Sequence, residues 1–152
     1  MTDHLTPVGR SQNMAAIRGA DTRPEMTVRR LVHGMGYRYR LHDKRLPGAP
    51  DLVFRSRKAV IFVHGCFWHQ HASLGCKARP PKSNAHYWLP KLQRNAARDV
   101  RNMDAIQEMG WRALVSWECQ LRVLPELQRE VEKFLGSSAP AHCAVPRPSR
   151  HE

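Results

Sequence analysis

The run Gly48-Ala-Pro-Asp51-Leu-Val-Phe54, a basic break at Arg55–Lys58, then Ala59-Val-Ile-Phe-Val63-His64-Gly65-Cys66-Phe67-Trp68-His69-Gln70-His71 decides how this chain is read. Cys76 follows five residues after His71. Two apolar, β-rich runs joined by a short polar connection predict a pair of strands. Asp51 opens the first. The second ends in three histidines, a cysteine and two aromatic residues, where turn residues would ordinarily stand. The strand pair therefore carries chemistry as well as a core.

Toward the N-terminus, Leu46-Pro-Gly-Ala-Pro50 is a turn that delivers Asp51 to the strand start. An aspartate there can simply close a turn. Opening an apolar strand with a second one close behind, it also places a carboxylate at a strand end, where a metal would sit. Tyr37, Tyr39 and Leu41 alternate with Arg38, Arg40 and His42, which predicts a half-buried strand with a basic face. Thr22-Arg23-Pro24-Glu25 fits a capping box with an early proline. Val28, Leu31, Val32 and Met35 then recur at helical spacing until Gly36. On spacing alone Glu25 reads as a capping residue. A short helix over Arg10–Arg18, stopped by Gly19, makes a basic arm, either a phosphate contact or a solvated end.

Toward the C-terminus, residues 77–84 form a basic loop. A long helix follows, with Leu89, Leu92, Ala96, Val100 and Met103 on one face and Gly110 past its end. Arg94, Arg98 and Arg101 lie opposite, as a solvated surface or a DNA contact. Trp111, Ala113, Val115 and Trp117 alternate with Arg112, Leu114 and Ser116 in another strand, which leads into Glu118-Cys119. A last helix, Pro125–Leu135, carries Leu127, Val131, Phe134 and Leu135. This order predicts an α/β domain over residues 10–135, a single mixed sheet flanked by helices. Residues 1–9 and the Ser-, Pro- and Ala-rich stretch 136–152 read as disordered ends.

The chain has 152 residues, enough for one domain with a real core. Lys and Arg outnumber Asp and Glu by 25 to 13, for a net charge of +12 and a pI near 10.4. Solubility alone needs far less, so the partner is a polyanion, most simply nucleic acid. The longest apolar run, Ala59–Val63, falls well short of the ~20 residues of a membrane span. The N-terminus lacks the apolar core of a signal peptide, which places the protein in the cytoplasm. In that reducing compartment four cysteines read as metal ligands rather than disulfides.

Cys66, His71 and Cys76 fall at spacings of five, with Cys119 at a distant strand end. Three thiolates and an imidazole make a closed tetrahedral set of the kind that holds structural zinc. His69 could replace His71, because Cys66-x-x-His69 is also workable. Plain buried thiols are the alternative, and the polar, His-rich surroundings argue against it. Cys143 lies in the tail, outside the set. Asp51, His64, His69 and Glu25 remain. A carboxylate with neutral imidazoles suits metal-assisted hydrolysis, the acid holding Mg²⁺ and a histidine taking a proton from water.

Gly48-Ala-Pro-Asp51, Phe62-Val63-His64-Gly65-Cys66-Phe67-Trp68-His69-Gln70-His71 and Gly110-Trp111-Arg112…Trp117-Glu118-Cys119 together resemble the very-short-patch repair (Vsr) DNA mismatch endonuclease family. Arg10-Ser11-x-Asn13-Met14-x-x-Ile17 and Thr22-x-Pro24-Glu25 extend the likeness over residues 8–135. Val63 stands where the family has threonine, a position whose backbone carbonyl serves the metal. The resemblance implies a restriction-endonuclease-like fold in which Phe62-Val63-His64 replaces the second half of the usual Asp…(Asp/Glu)-x-Lys motif. It implies Mg²⁺-dependent nicking 5′ of the thymine in T:G mismatches left by deamination of 5-methylcytosine. Asp51 and the Val63 carbonyl would hold Mg²⁺, and His69 would be the general base. His64 and Glu25 would support the water and phosphate. Phe67, Trp68 and Trp88 would be a wedge beside the mismatch, unless they are core. The implied partners are duplex DNA carrying the mismatch and a MutL-type mismatch-repair protein, with the enzyme a monomer. Two rivals stand beside this reading: a zinc-stabilised DNA-binding module without catalysis, and a nuclease of the same fold with another lesion or site.

Overall fold

β2 (Leu52–Phe54) and β3 (Ala59–His64) pair antiparallel with Phe54 opposite Ala59. Arg55–Arg57 forms a turn of 3₁₀ helix between them, closed by Lys58 at φ +45°. This computed structural model describes residues 6–16 and 19–137. The expectations for residues 1–5, for the arm's Arg18 and the side chain of Arg10, and for the tail from 138 with Cys143 lie outside the described residues.

β1 (Arg40–Leu41) pairs antiparallel with β2, and β4 (Arg112–Trp117) runs parallel to β3, in the order β1-β2-β3-β4. A parallel neighbour requires a crossover, and α3 (Ala85–Glu108) supplies it. The alternation of Tyr37, Tyr39 and Leu41 predicts a longer first strand than the two residues that pair. Tyr37 and Tyr39 still turn inward, meeting the Phe54 ring edge-on at 6.4 and 6.0 Å. Packing, not ladder hydrogen bonds, explains their periodicity.

Both faces of the sheet are covered. Leu52, Phe54, Ala59 and Ile61 pack with Val28 and Val32 of α2 (Arg23–Gly34) and with Leu127, Val131 and Leu135 of α4 (Leu124–Leu135). Val53, Val60 and Phe62 face the other way, toward Ile106 and Met103 of α3. β3 is thus sealed on both sides, with Val60 and Ile61 fully buried, as a central strand should be. Thr22 caps α2 by accepting the Glu25 N–H at 3.4 Å. α1 spans Pro7–Ala16, starting three residues before the expected Arg10.

α3 departs from the expected apolar face. Val100 is 60% exposed, while the inward seam runs Trp88, Leu92, Asn95, Asp99, Asn102 and Ile106. Three polar residues on that seam shift the apparent period of a pattern read from apolar residues alone. Gly48, at φ +74°, lets Asn102 approach: a Cβ there would stand 2.8 Å from Asn102 Nδ2. No helix among the described residues is long and apolar enough to cross a membrane.

Candidate active site and metal centre

Asp51 sits just ahead of β2, and its Oδ2 accepts the Val63 N–H of β3 at 2.7 Å. In a strand the N–H and C=O of one residue leave from the same edge. Lys58, five positions earlier, gives its carbonyl to Arg112 of β4. By that alternation the Val63 carbonyl leaves β3 on the Asp51 side. Burial raises the Asp51 pKa, the Val63 N–H works against this, and nearby Glu25 reinforces it.

Glu25, 2% exposed, does not complete the capping box. Its carboxylate turns inward and pairs with Arg29 one turn along α2 and with His42 Nε2 at 2.9 Å. Arg29 also binds Asp21 at 2.7 Å. An unpaired carboxylate at this depth would be costly, so Glu25 is held by this cluster as well as by its place in the first turn.

His64 and His69 lie at the end of β3 and in the loop after it. Their rings stack at 3.8 Å, 5° from parallel, with the Trp117 ring edge-on to His64 at 5.3 Å. Burial, then the neighbouring His69, presses the His64 pKa down to about 4, so this ring is neutral at pH 7. Nδ1 of His69 meets Oδ2 of Asp99 on α3 at 2.5 Å. A carboxylate on Nδ1 fixes the ring orientation and leaves Nε2 as the nitrogen free for proton transfer. Asn95, one turn before Asp99, donates to the Trp68 carbonyl at 3.4 Å and ties the histidine loop to the same helix.

Cys66, His71, Cys76 and Cys119 bring one ligand atom each to within 4.8 Å of one another, a set that could hold a metal ion. His71 Nδ1 lies 3.3 Å from Cys119 Sγ and 3.7 Å from Cys66 Sγ. The Cys119 and Ala78 N–H groups point at the sulfurs of Cys66 and Cys76, at 3.3 and 3.4 Å. Burial pushes the Cys66 thiol up to about 12, so its thiolate requires a cation. The Ala78 N–H draws Cys76 down. His71 also stacks on Trp117 at 4.1 Å. Of the two histidines open at the sequence level, His71 stands in this cluster and His69 faces Asp99.

The rings of Phe67, Trp68 and Trp88 meet edge-on at 5.1 to 5.9 Å. Trp88 is buried; Phe67 and Trp68 are half-buried. Asp51 and the pair His64 and His69 fall in two groups, Glu25 and His42 beside Asp51, and Asp99 beside His69, linked along β3 from Val63 to His64.

The chain matches a family model described as DNA mismatch endonuclease Vsr over residues 2–74. A type II nicking enzyme of Xanthomonas oryzae pv. oryzae is 49% identical over 139 residues, 91% of this chain and 100% of that protein. One from Neisseria meningitidis serogroup A is 42% identical over 122 residues, 80% of this chain and 86% of the relative. The DNA mismatch endonuclease Vsr of Escherichia coli is 42% identical over 130 residues, covering 86% and 82%. The chain belongs to the Vsr DNA mismatch endonuclease family.

As a Vsr-family protein it is a DNA endonuclease, of a kind that implies a divalent metal. The exposed Arg94, Arg98 and Arg101 on the outer face of α3 suit that polyanionic partner. The sequence gives no site role to Asp99, Arg29 and Asn95, and puts His42 only on the basic face of a strand. The alternating four- and three-residue spacing of Trp88, Leu92, Asn95, Asp99, Asn102 and Ile106 is the trace that finds Asp99. It is visible only once a polar residue is allowed on a buried seam.

Proposed function

We propose that this Vsr-family endonuclease nicks one strand 5′ of the thymine in T:G mismatches that arise by deamination of 5-methylcytosine, by Mg²⁺-dependent hydrolysis of the phosphodiester. The observation that carries the reading is the pairing of Asp51 with Val63 near the end of β3, the strand whose last residue, His64, stacks on His69 of the His69–Asp99 dyad. The donors fit Mg²⁺: a carboxylate and a backbone carbonyl are hard oxygens on one edge. The burial that raises Asp51 is relieved when a cation shares its site. When bound there, the ion supplies Lewis-acid polarisation of the phosphate and acidifies water. His69 takes the proton from the attacking water through Nε2. Asp99 holds that ring in place through Nδ1. His64, kept neutral by burial, stacks on His69 and bounds the site, and Glu25 acts from the Asp51 side.

Zn²⁺ in the Cys66, His71, Cys76 and Cys119 set is structural, because four protein ligands leave no open position. Phe67 and Trp68, backed by buried Trp88, form the wedge beside the mismatch. We place the nuclease domain at residues 10–135, assign it the restriction-endonuclease-like fold from its mixed sheet, and take it to act as a monomer in the cytoplasm. A MutL-type partner rests on the family resemblance alone.

The names of the nicking-enzyme relatives favour one second reading, the same chemistry directed by another site. Nicking of T:G and matched C:G duplexes with and without Mg²⁺, alongside binding to both, separates the readings. We expect Mg²⁺-dependent nicking of the T:G duplex alone, lost in Asp51→Ala while binding persists. Equal cutting of both duplexes supports the second reading. Binding without any nicking returns the chain to a non-catalytic module.

A further inference from the structure

His42 stands between the two carboxylates of the Asp51 group, and nothing in the proposed chemistry uses it. Its Nε2 lies 2.9 Å from Glu25 Oε1 and 2.9 Å from Arg29 Nη2, and its Nδ1 faces Asp51 Oδ1 at 3.8 Å. An arginine only donates. Nε2 thus meets a donor, Arg29, and an acceptor, Glu25, at the same distance, and in the tautomer that accepts from Arg29 the proton lies on Nδ1, the atom turned to Asp51. At 3.8 Å the Asp51 contact is electrostatic rather than a hydrogen bond, and a small turn of either side chain closes it.

The backbone supports a purpose for this placement. His42 has φ +46°, a left-handed conformation that few non-glycine residues adopt. It falls just after β1, where an ordinary strand residue would carry its side chain elsewhere. Arg29, 8% exposed, pairs with Glu25 and Asp21, whereas among the described residues Asp51 has no ion pair with a lysine or arginine. Asp51 Oδ2 is already fixed by the Val63 N–H. Only Oδ1 lacks a close donor among the interactions of the described residues.

We infer that His42 is a positioning residue for the metal-binding carboxylate: anchored by Arg29, it turns an N–H toward Asp51 Oδ1 and holds the carboxylate in its ligating orientation. This rests on the reading of Asp51 as the Mg²⁺ ligand. Partners behind a metal ligand are worth about 10- to 100-fold in metal affinity.

Mn²⁺ binding to the intact, zinc-loaded chain, followed by loss of the free-ion electron paramagnetic resonance, tests the inference without turnover. His42→Ala should weaken Mn²⁺ binding by about 10- to 100-fold, and His42→Asn should restore most of it. Asparagine tolerates positive φ and offers an amide donor near the place of Nδ1. Asp51→Ala is the reference. Mn²⁺ binding that survives Asp51→Ala overturns the Asp51 reading and this inference with it. Binding lost in Asp51→Ala but unchanged in His42→Ala overturns the His42 role alone. Nitrogen-15 NMR of the unsubstituted chain reads the tautomer even if His42→Ala fails to fold. A proton on Nδ1 supports the assignment, and a proton on Nε2 of the neutral ring overturns it.

Discussion

Asp99 does for His69 what no residue near it in sequence does: it holds Nδ1 from a helix thirty residues away. The oxygen-to-nitrogen contact defines which ring nitrogen is left for proton transfer, so the carboxylate acts through the histidine rather than on the phosphate. Asp99→Asn keeps the shape of the side chain and removes its charge. Nicking by this variant should fall by about 10²–10⁴-fold while binding to the T:G duplex holds, as measured by single-turnover cleavage and by titration. Near-normal cleavage would leave Asp99 a merely structural partner. At this scale the sequence was legible where chemistry and strand pattern coincide, as at Asp51, His64 and Cys66. Asp99 and His42 escaped because each owes its place to a tertiary approach, across a helix seam for one and through a left-handed turn for the other.

At the scale of elements, the apolar run Ala59–His64 and the cap at Thr22 were legible because one dominant force shapes each, burial for the strand and an unsatisfied helix end for the cap. The first strand was overread, since Tyr37 and Tyr39 alternate in order to pack and not to pair. Their phenols have a measurable consequence. Tyr37 donates to the Gly136 carbonyl and Tyr39 to the Arg29 carbonyl, the latter at 2.9 Å, so each ties α2 or its following turn to a neighbour. Burial raises both pKa values. The folded state therefore prefers the protonated phenols. Their contribution is complete below the ordinary tyrosine value of about 10 and is lost as the pH climbs through the raised folded-state values. Urea midpoints measured from about pH 8 to about pH 11 should drop at the alkaline end, and less steeply in a Tyr37→Phe/Tyr39→Phe chain. Parallel pH profiles for the two chains would show that the phenols do not titrate with unfolding.

For the whole molecule, the Cys and His cluster joins the loop after β3 to the end of β4, closing a span of 53 residues between Cys66 and Cys119. A bound metal at that point constrains the unfolded chain as a crosslink does, and its binding free energy adds to that of folding. Cys119→Ser should lower zinc content and the thermal midpoint together, read by metal analysis and calorimetry. Full zinc occupancy with an unchanged midpoint would remove Cys119 from the set. The ligand types and spacing were legible in the sequence. The expectation that Cys119 joins the other three was legible too, but the parallel pairing of β4 with β3 that brings it there was not.

That parallel placement of β4 also bears on how the chain is made. Synthesis delivers β1, β2 and β3 early, and they can pair as they emerge, each with a neighbour close in sequence. By the time Asp99 leaves the ribosome, every group proposed to cut DNA already exists. β3 still presents one bare edge, and the metal cluster has only three of its four ligands. The final strand closes the edge and brings Cys119 to the other three in one step. A nascent or truncated chain ending before that point would thus carry every residue proposed to cut DNA but lack β4 and the fourth member of the Cys and His cluster. Cys119 is the last of the four to be synthesised, so the set that could hold a metal is complete only once β4 is in place.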